Sequence, residues 1–285
     1  MMKIAVVTDS ASDIVNENVS MPGLYWVPLQ IADGDKMYLE SENAGIDDIY
    51  ELIKQGRVLK TSLPPLGRLE DLFQQLKDEG YQRIFAMCLT RGLSSTADAM
   101  VSAAQQVDIP IDYVDCYSTA YLQLHLAITA RKMFDDGKTV EEVKQVLQIP
   151  IENSCTYLIP DDLKHLSRSG RLSPLAATLA GFLKIKPILF LDKTSGGKID
   201  PLLKTRTMAK AIHTLTDIVT QKAVGKGYRI CIAHVDNPEG AKMIYDLLVE
   251  KSEGAELQIS RLVTTVSVHT GMGCLAIQYY KLAEY

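Results

Sequence analysis

The chain has 285 residues, 47% hydrophobic and 23% charged, which is enough for two medium-sized domains with ordinary cores. Its net charge of -5 creates no field to gather nucleic acid or anionic lipid, so the reading is no nucleic-acid partner and at most transient membrane contact. No window reaches the ~18 uninterrupted apolar residues of a membrane span. The nearest, from Leu175 to Leu191, is broken by Lys184, Lys186 and Pro187 and reads as a buried helix running into a strand.

The first residues pass from Lys3 straight into an apolar run with no cleavage-type region, and a cytoplasmic location is expected. Apolar runs of strand length then recur at 3–8, 25–31, 83–89, 111–115, 155–160, 186–191, 228–235 and 274–280. Helical spacing occupies 45–56, 66–80, 95–107, 118–137, 139–148, 205–224 and 238–252. Strand and helix alternate, which predicts an α/β fold with a mainly parallel sheet in the first half. A charged helical pattern ends at Pro150, and the boundary falls there, giving domains 1–150 and 151–285. The turn-rich tract Asp192 to Pro201 reads as a hairpin loop, so the second domain is expected to be α+β. The five cysteines form no Cys-x-x-Cys pair and read as reduced core thiols.

Ligands of open α/β sheets gather beyond the carboxyl ends of strands. Four polar clusters suit that location: "TDSASD" (8–13), "KTSLPP" (60–65), "TRGLSSTA" (90–97) and "SVHTGMG" (267–273). Capping a helix needs one hydroxyl, whereas Ser94, Ser95 and Thr96 offer three beside a positive helix end, which also suits a carboxylate or phosphate. His269 precedes two glycines spaced for unusual backbone angles or close approach of a ligand. Arg168 and Arg171 either sit in a solvated loop or face an anion or a protein partner. The tract 195–198 lacks the glycine spacing of a phosphate loop, and no set of magnesium ligands accompanies it.

In order along almost the whole chain, "AVVTDSASDI", "KTSLPP", "GLSSTA", "SRSGRLS", "FLKIKPIL", "GGKIDPLLKTRT" and "VHTGMG" resemble the DegV family of bacterial lipid-binding proteins. The resemblance implies a two-domain α/β architecture with a tunnel between the domains that holds a long-chain fatty acid. It also implies a non-catalytic, acyl-binding subunit of a fatty-acid kinase, whose partner is a separate ATP-dependent subunit that makes acyl-phosphate. The implied head-group and ligand-binding residues are Thr61 and Ser62, Ser94 and Ser95, His269 and Arg171. No metal or cofactor beyond the bound fatty acid is implied.

The chain departs from the family pattern at Met272, at Ser95, and at Ala120, Leu122 and Leu124, the last three bearing on tunnel shape and chain preference. Small residues Ala176, Ala177, Ala180 and Gly181 are candidates for a groove that takes the acyl chain. The alternative is a serine hydrolase or acyltransferase using Ser94 and His269 with Asp9, although Thr96 stands where a nucleophile elbow needs glycine.

Overall fold

Every residue of the first strand, β1 (Ile4–Asp9), is buried, as a parallel strand covered on both faces requires. In the computed structural model, which describes residues 2–181, 185–222 and 225–284 with backbone only at 180 and 181, the chain continues through β2 (Leu24–Val27), β3 (Gln30–Asp33), β4 (Lys36–Leu39), α1 (Ile46–Lys54), β5 (Lys60–Ser62), α2 (Leu66–Asp78), β6 (Arg83–Met87), α3 (Thr96–Gln106), β7 (Ile111–Tyr113), α4 (Ala120–Asp135) and α5 (Val140–Glu152). The second half adds β8 (Ser154–Ile159), α6 (Leu163–Arg168), α7 (Pro174–Ala177), β9 (Lys186–Leu191), β10 (Asp200–Thr205), α8 (Met208–Lys222), β11 (Tyr228–His234), α9 (Pro238–Lys251), β12 (Glu256–Arg261), α10 (Thr264–Thr270) and β13 (Leu275–Lys281).

Four parallel strands in the order β2-β1-β6-β7 make the first sheet. Alternation along β1 divides its side chains between two cores. Ile4 and Val6 pack with Phe85, Met87, α4 and α5, while Ala5 and Val7 pack with Ile84, α2 and α3. The second sheet has the order β10-β9-β8-β13-β11-β12, and only its β11/β12 pair is parallel. Helices α8 and α9 cover one face of it. On the other face, Cys231 and Tyr280 join the core built by α4 and α5. Helix α4 therefore lies between the two sheets, and most of its 16 residues are buried, Gln123 and Arg131 among them. The expected two-domain α/β architecture is present, with a parallel first sheet and a mixed second one.

Where the elements differ from the sequence reading, backbone chemistry accounts for most of it. The run 25–31 is two strands, because Pro28 has no N–H to donate to a continuing ladder. Strand β2 stays in the parallel sheet, and β3 turns into a separate antiparallel sheet ordered β4-β3-β5. Helix α5 carries Pro150 inside it and ends at Glu152. The apolar tract after Ser173 forms only one helical turn and a 3-10 turn, with Leu175 65% exposed, and residues 182–184 lie outside the description. The cluster at 267–273 is largely the end of α10 rather than a loop. All five cysteines are buried and unpaired.

The hairpin loop between β9 and β10 lies directly on the loop after β6. A Cβ on Gly92 would stand 2.3 Å from the Gly197 carbonyl carbon, and one on Gly197 would stand 2.0 Å from Thr90 Oγ1. Only glycines let the two backbones meet this closely. Gly197 also has φ +70, which costs a side-chain-bearing residue about 1–2 kcal/mol. Gly34 has a similar φ of +60 but nothing near its missing Cβ. Gly197→Ala should therefore lower the urea midpoint more than Gly34→Ala does, and equal losses would show that this contact contributes nothing.

Candidate functional site

Helix α10 has no capping side chain of its own, and Glu40, which follows β4, takes that role. Thr265 N–H donates to Glu40 Oε1 at 2.6 Å, the hydroxyls of Thr264 and Thr265 donate to the same carboxylate, and Ser10 Oγ donates to Oε2 at 2.6 Å. Glu40 is only 2% exposed. A negative group at a helix N-terminus is stabilised there, so the carboxylate is satisfied without a cation. At the other end, His165 Nε2 donates to the Val268 carbonyl at 2.9 Å. Gly271 ends the helix at φ +78, and a Cβ there would lie 2.9 Å from His165 Cδ2. Gly273, at φ +76, stands equally close to Asp161. Both glycines of the motif thus serve close packing within the protein.

Held at both ends, α10 presents His269 to the first half of the chain. Its Nε2 lies 2.7 Å from Thr61 Oγ1, which β5 delivers through its pairing of Thr61 with Ile31. Burial presses the His269 pKa down to about 3, and the charges of Arg171 and His165 push the same way. The imidazole is neutral near pH 7. Arg171 donates Nη1–H to the Ser169 carbonyl at 2.7 Å and meets no carboxylate among the described residues. Burial lowers its pKa, the mark of a charge short of solvent and of a counter-ion.

Two cavities meet at this group. The first, about 400 Å³, is lined by Thr61, Ser62, Ser94, Ser95, Arg171 and His269 together with the apolar Leu29, Leu63, Leu89, Leu93, Ile199 and Val266. The second, about 520 Å³, shares Thr61, Arg171 and His269. All six residues expected from the sequence therefore border one cavity, with walls from both halves of the chain.

Their roles at the wall differ. Ser94 Oγ is 2.8 Å from Thr96 Oγ1 and accepts from Thr96 N–H at 3.2 Å, so it caps α3 while facing the cavity. Ser95 is exposed and makes no capping bond. The apolar lining was missed, because leucines in short loops carry no periodic signal. The described part of the 175–191 tract lines neither cavity, and Leu175 and Leu179 border a separate shallow one. Ala120, Leu122 and Leu124 are likewise packed into the core around α4.

Asp9 does not assemble with Ser94 and His269. Its Oδ1 accepts from Ala11 N–H at 2.9 Å and Gln123 Nε2 at 3.1 Å, and its Oδ2 accepts from Leu89 N–H at 2.9 Å, joining the ends of β1 and β6. Burial raises its pKa to about 6. Among the described residues no cluster of His, Cys, Asp or Glu suits a metal ion.

The family model described as "Uncharacterised protein, DegV family" matches residues 3–282, and the chain belongs to this family. Protein DegV of Bacillus subtilis is 31% identical over 287 residues, covering 97% of this chain and 98% of that one. A DegV domain-containing protein of Streptomyces coelicolor is 29% identical, covering 96% and 97%. Among solved structures, a fatty acid binding DegV family protein from Streptococcus agalactiae superposes with a TM-score of 0.88 at 28% identity over 99% of both chains. DegV from Bacillus subtilis, a fatty acid binding protein, superposes with a TM-score of 0.84 at 28% identity, covering 99% of this chain and 100% of that one.

Asp13, at the end of the "TDSASD" motif, is buried in a left-handed conformation (φ 64), and burial raises its pKa from 3.8 to about 7. The folded state holds this proton more tightly than the unfolded chain does. Its contribution to stability is therefore complete below pH 3.8 and is lost as pH rises towards 7. Asparagine tolerates the same backbone angle and stays uncharged. Asp13→Asn should gain on the parent by up to roughly 1.4 kcal/mol per pH unit across that window. Urea unfolding at pH 5 and pH 8 reads the difference, and a gap independent of pH would contradict it.

Proposed function

We propose that this protein binds a long-chain fatty acid between its two domains and presents the carboxylate to a separate ATP-dependent kinase subunit in the bacterial cytoplasm. The observation that carries the reading is the first cavity, apolar along its walls and ending on the Thr61–His269 pair beside a guanidinium that has no carboxylate partner. The relatives from Streptococcus agalactiae and Bacillus subtilis described as fatty acid binding, each 28% identical over nearly the full length, support it.

The two ends of such a ligand need different surroundings. Each methylene buried recovers about 0.8 kcal/mol, so a chain of about fourteen offers on the order of 10 kcal/mol before the costs of association. A carboxylate placed in the same apolar volume would lose its hydration, and here the Thr61 and Ser94 hydroxyls replace it, leaving the Arg171 guanidinium to face the reacting end. Neutral His269 can donate one ring N–H to the acid or orient the Thr61 hydroxyl, and carries no charge of its own to be desolvated when the site is empty.

In the proposed transfer, a carboxylate oxygen attacks the terminal phosphorus of ATP, the new O–P bond forms as the bridging P–O bond breaks, and ADP leaves. The chain itself supplies position and electrostatics. A serine hydrolase would need Ser94 bonded to a base, yet the hydrogen bond of His269 goes to Thr61 and that of Ser94 to Thr96.

Mass spectrometry of an organic extract of the purified protein should show a long-chain fatty acid at near-equimolar yield. After delipidation, Thr61→Ala with Ser94→Ala should weaken palmitate binding at least tenfold. Extracts free of fatty acid, combined with no palmitate binding by the delipidated parent, would reject the reading.

Arg171→Ala separates holding from transfer. Palmitate affinity should change less than threefold, while acyl-phosphate formation with a bacterial fatty-acid kinase subunit should fall at least tenfold. Equal losses would reject a role for Arg171 at the reacting end.

A further inference from the structure

The "TDSASD" motif, one of the four polar clusters placed by the sequence where a ligand would gather, lines neither cavity at the site. It stands behind the first cavity as a bracket. Asp9 Oδ2 accepts from Leu89 N–H at 2.9 Å, Ser10 Oγ accepts from Leu29 N–H at 2.9 Å, and both leucines line that cavity. Leu29 lies between β2 and β3 and Leu89 beyond the end of β6, so neither amide belongs to a strand ladder. A buried N–H needs an acceptor, and here side chains supply it. The Leu29 carbonyl is taken too, by Glu40 N–H at 2.9 Å.

The bracket is itself tied from several sides. Gln123 of α4 donates Nε2–H to Asp9 Oδ1 at 3.1 Å, Ser12 Oγ donates to the Asp9 carbonyl at 2.7 Å, and Thr119 Oγ1 donates to the Ala11 carbonyl at 3.0 Å. Leu29 and Leu89 pack with Ala11 and Leu93 in a small cluster apart from the main cores, with the cavity on their open side. A side chain packed on one side only is placed by its backbone, and these hydrogen bonds place the backbone. We infer that Asp9 and Ser10 are positioning residues that hold the Leu29–Leu89 wall, and that this wall sets the width of the cavity, admitting straight acyl chains in preference to methyl-branched ones. A wall fixed by buried hydrogen bonds cannot retreat from an extra methyl group, and overpacking against it is costly. The inference deepens the fatty-acid reading and rests on it for the identity of the chain.

The test titrates the delipidated full chain by calorimetry with palmitate, with phytanate, which is the same main chain carrying methyl branches, and with hexadecanol, which lacks the acid. At pH 8 Asp9, whose pKa burial raises to about 6, is ionised and accepts on both oxygens. An asparagine there accepts on one side only. The parent should bind palmitate at least tenfold more tightly than phytanate, as a close-fitting apolar pocket discriminates. Asp9→Asn and Ser10→Ala should each cut that preference at least threefold, and Leu29→Ala with Leu89→Ala should cut it at least fivefold. The ratio of palmitate to hexadecanol affinity reads the head group alone and should change less than twofold in Asp9→Asn. A general loosening of the fold would lower both ratios together.

Three results overturn the inference while palmitate binding still upholds the fatty-acid reading: a parent that takes phytanate as tightly as palmitate, a preference that survives both Asp9→Asn and Ser10→Ala, or two ratios that fall together. If Asp9→Asn does not fold, Ser10→Ala, which leaves the Asp9 bonds in place, decides by the first ratio. If palmitate fails to bind the parent, the fatty-acid reading falls and the matched alcohols hexadecanol and phytanol decide. A preference for hexadecanol that is lost in the same variants upholds the wall, and an unchanged preference or no binding overturns it.

Discussion

A single buried carboxylate holds the site together. Glu40 comes from the first half of the chain, yet it caps α10, which follows the last-placed strand of the second sheet, β12. Without that bond the N-terminal amides of α10 would be buried and unpaired, and the hold on the His269 turn would rest on its other end alone. The same carboxylate takes the Ser10 hydroxyl, and Ser10 Oγ accepts from Leu29 N–H at 2.9 Å, so β1, β3 and α10 share one polar junction. Tyr50 on α1 strengthens the alignment by donating to the Leu262 carbonyl at 2.7 Å. The interface between domains is thus polar and directional at the point where the head group would sit, and mainly apolar around α4, where buried Gln278 of β13 adds a second polar tie by accepting from Leu122 N–H at 2.7 Å.

This arrangement separates two electrostatic tasks. Desolvation keeps His269 neutral, so the charge lining the first cavity comes from Arg171 and from Arg91, which Asp98 pairs at 2.8 Å. Arg171 stands at the boundary, its charge short of solvent and of partners. The second cavity gathers Arg57, Lys60 and Arg168 beside the same residue. A ligand in the first cavity would meet hydroxyls, a neutral ring and the Arg171 guanidinium.

The Gly92–Gly197 contact does for the backbone what Glu40 does for the helix. The 195–198 tract, whose glycines lack phosphate-loop spacing, is a spacer-free junction between the two domains. Any larger residue would prop apart the loop that carries Leu93 and Ser94 from the hairpin next to Ile199, widening the apolar cavity those residues line.

Read by itself, the chain determined the α/β class, because near-continuous apolar strands alternate with helical spacing and local periodicity encodes burial directly. It also determined which hydroxyls, histidine and arginine border the site, because several short motifs in fixed order resemble one family. Other features depended on residues distant in sequence, and only the tertiary structure decided them. The apolar wall is built from Leu29, Leu63, Leu89, Leu93, Ile199 and Val266, scattered over some 240 positions and each unremarkable in its own segment. The described part of the tract 175–191 lines neither cavity at the site, because apolar composition signals burial somewhere but not against what. Glu40 acquires meaning only when the two sheets close around α4, since a charge has no address until its neighbours in space are known.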